Sequence, residues 1–384
     1  MKTAVISIII GVVVGIVVGA TIVGPRLPSA LLDNKGTLEA NLQPKEQLII
    51  KKNTTTPGSI LSKKVTRWNV VSMLPTGTSY LGEFSKRVQD LSWRTSNGRL
   101  EIKLHEPETI VSRPNVLNAV MSGSIDAAFG SPQMWARKNP ALEIFSNVPF
   151  GPGIQEFLSW LQHSQTEKIY QKFMNDMGLH GIICGITGAS AGGWFAKPIT
   201  TKEDFFNLRI AASGFGAQTL KHLGVKTTFL SPEKILMGFE MDHIDGAQFS
   251  MPHIDSRLGF QERAKFYYFP GWQKPANIFD LIINKKRWDK LTPTLKTTIK
   301  TVCGDNIQHG IANSEVRQYT VLKQLIQQGV KIDQFPREIM EALKLSWRAV
   351  VQNTSKKHTE FSLIWQSFSN FRRDFSIWRE LNQY

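Results

Sequence analysis

Between Val65 and Gly130 the hydrophobic period switches back and forth, and this alternation constrains the fold more than any other feature. VTRWNVVS (65–72) is β-branched with an aromatic, the composition of a strand. Residues 78–93 set Leu81, Phe84, Val88 and Leu91 at helical spacing. RLEIKLH (99–105) alternates as a second strand, 114–122 suits a short helix, and IDAAFG (125–130) reads as a third strand. Strand, helix, strand, helix, strand is the opening of a mostly parallel sheet with helices over its faces. The expected class is α/β.

The remaining chain continues this alternation. GIICGI (181–186), GGWFAKPI (192–199), LRIAAS (208–213), HIDGAQFS (243–250) and VKIDQF (330–335) read as strands. Helices are predicted over 203–207, 216–223, 232–241 and 306–328. Gly224 and Gly329 follow two of them, where a helix C-terminus favours glycine. Near the end, Phe361, Ile364, Trp365, Phe368, Phe371, Phe375 and Trp378 fall three or four apart, which gives an amphipathic helix with an aromatic face. That face suits packing on the chain's own core or a partner interface, and both readings stand. Two α/β lobes around a ligand cleft, as in type II periplasmic binding proteins, accommodate this order of elements.

The N-terminus bears on location. Residues 4–24 carry no charge, about the length that spans a bilayer. The run reads as a signal peptide or an uncleaved membrane anchor. Residues 25–64, rich in Pro, Lys, Asn, Thr and Ser, read as a flexible linker. A bilobed domain is expected over 65–384, with the second lobe roughly at 187–280 and a C-terminal helical region at 337–384. Export to the periplasm follows, tethered or free. The net charge of +15 is spread over isolated pairs such as Lys51-Lys52 and Arg372-Arg373, without the clustering that nucleic acid requires. Cys184 and Cys303 are the two cysteines; one disulfide between them is open, and buried free thiols are the preferred reading.

Gly188-Ala189-Ser190-Ala191-Gly192 spells G-x-S-x-G, the nucleophile elbow of serine hydrolases. An elbow needs a helix after the serine, and Gly192-Gly193-Trp194-Phe195-Ala196-Lys197-Pro198 does not supply one. No HGGG-type oxyanion loop precedes it. His243 and His253 lack metal-ligand spacing, and there is no phosphate-binding glycine loop. No catalysis, no metal and no cofactor are expected from these motifs.

Four segments then act together: WARKNPA with NVPFGPGIQEFLSW, TGASAGGWFAKPITTKEDFFNLRI, IDGAQFSMPHIDSRLGF and AKFYYFPGWQKP. In this order they resemble the solute-binding proteins of tripartite ATP-independent periplasmic (TRAP) transporters, the DctP family, and within it the keto-acid branch. The resemblance covers roughly 65–340. It implies capture of a small organic anion for a membrane permease, without catalysis. It also implies a site built from an arginine and a bound sodium, and in some members a homodimer formed by exchanging a long C-terminal helix.

The site positions depart from that pattern. The family's metal-site glutamine falls at Ser190 and its ligand arginine at Ala211. The Glu-Trp pair becomes Gln248-Phe249, and a metal-ligand place becomes Lys274. A ligand tyrosine becomes Gln133. Arg209 lies two places before Ala211, at the same strand parity, so it could face the same side, although an arginine at that place in the family pattern is not the ligand arginine. Where the family sums an arginine and a sodium against one glutamate, a single lysine here leaves the same net charge. One reading of this balance is that the Lys274 ammonium takes the sodium's place and pairs with an anionic ligand; the other is that Lys274 is an exposed loop lysine, and sodium itself is left open. Ser190, Gln248 and Gln133 have a plainer reading as packing or mutual hydrogen bonding, and Trp194 and Trp272 read as core. A second functional reading keeps the scaffold but makes it a membrane-anchored sensor or interaction protein with a changed ligand site.

Overall fold

The computed structural model describes residues 64–382, so the apolar run 4–24 and nearly all of the linker lie outside it. No helix of the described residues is long and apolar enough to cross a membrane. Eleven strands form in these residues. They are β1 (Thr66–Ser72), β2 (Leu100–His105), β3 (Ala127–Gly130), β4 (Leu179–Thr187), β5 (Gly193–Phe195), β6 (Arg209–Ala211), β7 (Lys226–Thr228), β8 (Gly246–Ala247), β9 (Phe266–Phe269), β10 (Asn277–Asn284) and β11 (Lys331–Gln334). They assemble into a five-stranded sheet ordered β2-β1-β3-β10-β4 and a six-stranded sheet ordered β11-β9-β5-β8-β6-β7.

The first sheet is the one its sequence announces. β1 pairs in parallel with β2 and β3. Trp68 and Val70 enter the core on one face while Val71 enters the core on the other. Phe129 and Ala128 divide in the same way, as do Leu281 and Ile282. Both faces are therefore covered, which the two-residue period of a strand requires when helices pack on each side. β10 is the exception to the parallel pattern, antiparallel to both β3 and β4. NIFDLIIN is buried along nearly its whole length and shows no alternation to read.

Two crossovers join the sheets: residues 188–192 between β4 and β5, and 270–276 between β9 and β10. A third link is the Pro293–Gln327 helix, 35 residues and so about 50 Å long. Its start packs Leu295, Ile299 and Val302 on the first core, and Leu325 near its end lies in the second. Sequence periodicity starts this helix at 306, yet it begins 13 residues earlier, where the Thr292 side chain accepts from the Leu295 N–H and Pro293 occupies the first turn. The reading of Cys184 and Cys303 as free thiols is corrected: they form a disulfide between β4 and this helix, closing a separation of 119 residues.

The C-terminal region is two helices, Arg337–Lys357 and Thr359–Leu381, separated by His358 alone. The first lies on the Gly214–His222 helix, where Ser346 Oγ donates to the Thr219 carbonyl at 2.7 Å and the Trp347 ring meets that of Phe215 at 5.0 Å. The second returns to the first lobe. Phe361, Ile364 and Phe368 are buried there, with the Phe368 ring 4.9 Å from that of Trp160. The Glu156 carboxylate accepts from both Arg372 and Arg379 at 3.0 Å. Most of the aromatic face thus packs on its own core, while Trp378 at the far end is exposed.

Candidate functional site

The two crossovers brace each other at the glycine motifs. Ser190 N donates to the Lys274 carbonyl at 3.0 Å, and Gly192 N to the Tyr268 carbonyl at 2.8 Å. A Cβ on Gly271 would overlap the Ser190 carbonyl oxygen, so Pro-Gly-Trp carries glycine for close backbone approach. Ser190 is buried and its Oγ accepts from Asn277 Nδ2 at 3.3 Å. The chain then enters β5 rather than a helix, so the G-x-S-x-G stretch has none of the geometry of an elbow. Trp194 and Trp272 are both buried. Trp194 stacks on Tyr267 at 3.8 Å and Trp272 on Phe150 at 5.5 Å.

Beyond this brace lies a small cavity of about 80 Å³, lined in part by Ala211, Ser213, Gln248, Phe249 and Lys274. Ala211 ends β6, and the chain turns through Ser213 into the Gly214–His222 helix, whose first turn faces the first lobe. There a Cβ on Gly214, at φ +59°, would collide with Glu143 Oε1 and Gln133 Nε2. Phe215 N donates to Glu143 Oε1. Gln133 Oε1 in turn accepts from Asn147 Nδ2 at 3.1 Å. On the second-lobe side, Gln248 Nε2 donates to the Gly192 carbonyl at 3.2 Å and Gln273 Nε2 to the Ala191 carbonyl at 2.7 Å.

Lys274 supplies the positive charge. Among the described residues no carboxylate lies within ion-pair distance of its ammonium. Burial lowers its pKa, against the opposing pull of Glu143 and Asp255. Those two carboxyls are displaced the other way. Burial raises Glu143 to about 7, opposed by the Phe215 amide and by Lys274. Burial likewise raises Asp255 to about 7, opposed by bonds from Tyr267, Trp194 and the Ser250 amide and by Lys274.

The structure thus brings together Ala211, Gln248, Phe249 and Lys274, with Gln133 at the margin. It sets Ser190 apart, on a separate cavity behind the crossovers. Arg209 does not line the site. Strand parity suggests that it faces the same side as Ala211, but Asp245 holds it in a two-pronged ion pair at 2.8 and 2.9 Å. Sequence reasoning does not single out Glu143 or Asp255. Glu143 sits in ALEIF as one acid within an apolar run, the sole signal it offers.

Residues 71–358 match the family described as bacterial extracellular solute-binding protein, family 7. The chain belongs to that family. A monocarboxylate 2-oxoacid-binding periplasmic protein of Nostoc sp. is 28% identical over 324 residues, covering 83% of this chain and 87% of the relative. A TRAP periplasmic solute binding protein from Pseudoalteromonas atlantica, solved with bound sodium and pyruvate, is 25% identical with a TM-score of 0.78, covering 83% of this chain and 97% of that one. A TRAP transporter solute binding protein from Bordetella bronchiseptica, solved with calcium and picolinate, is 24% identical with a TM-score of 0.79, covering 83% and 95%.

Both solved neighbours hold a metal cation, and the residues here form a poor donor set for one. Hard cations take several oxygen ligands, carboxylates among them. Among the described residues no carboxylate lines this cavity, and the Lys274 ammonium does. Asp255 already spends its Oδ2 on Trp194 and Tyr267 and its Oδ1 on Ser250 N.

Proposed function

We propose that this protein captures a small monocarboxylate in the cavity beside Lys274 and delivers it to the membrane subunits of a TRAP permease, binding without catalysis. The single observation that carries this reading is an ammonium without an ion-pair partner among the described residues, lining a small cavity in a solute-binding fold. Lys274 is half-buried, and a partly desolvated ammonium is stabilised when an anion joins it.

Sodium is not needed in this reading, in which the Lys274 ammonium serves as the ligand's counter-ion. Burial raises both carboxyls that are coupled to the lysine to about 7, so each carries less negative charge there than an ordinary carboxylate. The protein works in the periplasm, and residues 4–24 act there as a cleaved leader or a tether to the inner membrane. The Cys184–Cys303 disulfide is in keeping with an oxidising compartment. Pairing of two copies through the Thr359–Leu381 helix is the accompanying oligomer reading, since His358 alone separates it from the preceding helix.

A thermal-shift series tests the ligand class. Small monocarboxylates raise the melting temperature in a concentration-dependent way, because they bind the folded state. Neutral solutes of the same size leave it unchanged. A stabilising neutral solute together with inert carboxylates would defeat the reading.

A further inference from the structure

The first sheet ends at β4, and a groove of about 340 Å³ lies at that edge, larger than the cavity of about 80 Å³ beside Lys274. Its aliphatic surface comes from Leu158, Leu161, Ile182, Ile183 and Ile307. Lys300 lines it as well, exposed and without an ion-pair partner among the described residues. Gly304 lies in the same wall, inside the Pro293–Gln327 helix, where glycine is less favourable than alanine. A Cβ at Gly304 would meet nothing within 4 Å, whereas at Gly310 in the same helix it would overlap the Ile186 carbonyl oxygen. Packing within the chain therefore requires glycine at 310 but not at 304. What glycine does at 304 is hold the groove open.

Steps of four, four and three residues put Lys296, Lys300, Gly304 and Ile307 along one face of that helix. The chemistry changes along the face, from cations through a gap to an aliphatic side chain. Lys296 Nζ stands 5.6 Å over the Trp288 ring, and that ring stacks on His180 at 3.9 Å, so the cations gather at the His180 end of the groove. Burial, and after it Lys300 and Lys285, lower the His180 pKa to about 4, so the ring adds no charge at neutral pH. Glu167, on the Ser164–Asp176 helix, is the one acid among the lining residues. We propose that this groove is a second binding site, for an anionic amphiphile whose alkyl chain lies along Leu158, Ile183 and Ile307 and whose carboxylate or phosphate head meets Lys300 and Lys296. Burial of methylenes supplies the affinity, and the lysines select the sign of the head. A free fatty acid and an anionic membrane phospholipid both carry this chemistry. The groove shares no residue with the cavity beside Lys274.

The test is calorimetric titration of the full protein with hexanoate, octanoate and decanoate below their micelle concentrations. Affinity rises with length by up to about fourfold per methylene, the transfer value of a buried CH2. Decanoate affinity is unchanged in Lys274→Ala, and decyltrimethylammonium does not bind. Gly304→Leu fills the groove and weakens decanoate at least about tenfold, while its melting temperature stays the same or rises because glycine has left a helix. Lys300→Glu, at an exposed position, weakens decanoate at least about fivefold and decides the matter even where Gly304→Leu does not fold. Vesicles separate the two sources. Sedimentation with phosphatidylglycerol but not phosphatidylcholine vesicles, lost in Lys300→Glu, assigns the site to membrane lipid; decanoate binding without such sedimentation assigns it to a free acid. Binding of neither probe, affinity independent of chain length, loss of decanoate binding in Lys274→Ala, or undiminished binding in Lys300→Glu overturns the proposal.

Discussion

Replacing Glu143 by glutamine isolates the electrostatics of the site. Glu143 is buried, and its carboxyl stands at about 7 against an ordinary 4.5. Between those values the folded protein holds a proton that the unfolded chain has released. Its contribution to stability is thus complete below about pH 4.5 and is lost as pH rises through 7. A gap of two to three pH units, at about 1.4 kcal/mol each, amounts to about 3 kcal/mol. The substituted amide cannot ionise, but it still offers an acceptor to Phe215 N. Urea unfolding from pH 5 to pH 8 should therefore find Glu143→Gln within about 1 kcal/mol of the wild type at pH 5 and more stable by about 2–3 kcal/mol at pH 8. Asp255 and Asp280, also raised to about 7 by burial, contribute their own slopes to both proteins and cancel in the difference. A difference that does not change with pH would refute the claim that a buried, near-neutral acid faces Lys274.

Two further outcomes check the scaffold that holds the site. Replacing Cys184 and Cys303 together by serine removes a cross-link over 119 residues and should lower unfolding stability by about 4–5 kcal/mol, with the melting temperature as readout. Gly271→Ala forces a Cβ onto the Ser190 carbonyl and should destabilise the protein by more than about 1 kcal/mol and weaken ligand binding, whereas Gly153→Ala, where a Cβ meets nothing within 4 Å, should do neither.

Much of this fold is legible because its first elements are regular. Thr66–Ser72 and Leu81–Thr95 form where β-branched composition and helical spacing put them. β10 escapes because a strand covered on both faces has no alternation, and the long helix is shortened because its first half is marked by a Thr-Pro start rather than by an amphipathic stripe. Ala211, Gln248, Phe249 and Lys274, singled out by their motif positions, line one cavity of the fold. Glu143 is not found, since it meets Gly214 and Phe215 only through packing between lobes, 72 residues apart in the chain for Phe215. Arg209 misleads because strand parity fixes a face and not a partner, and Asp245 claims its guanidinium.

The claim at the centre of this account is that Lys274 does the work of the ligand's counter-ion. The direct measurement is carboxylate affinity for the wild type and Lys274→Ala, by calorimetry, in sodium and in potassium salts at equal ionic strength. Wild-type affinity should be the same in both salts. Lys274→Ala should bind at least about thirtyfold more weakly, from a loss of about 2 kcal/mol or more for one partner of a buried charge pair. Sodium-dependent binding, or undiminished affinity in Lys274→Ala, would contradict it.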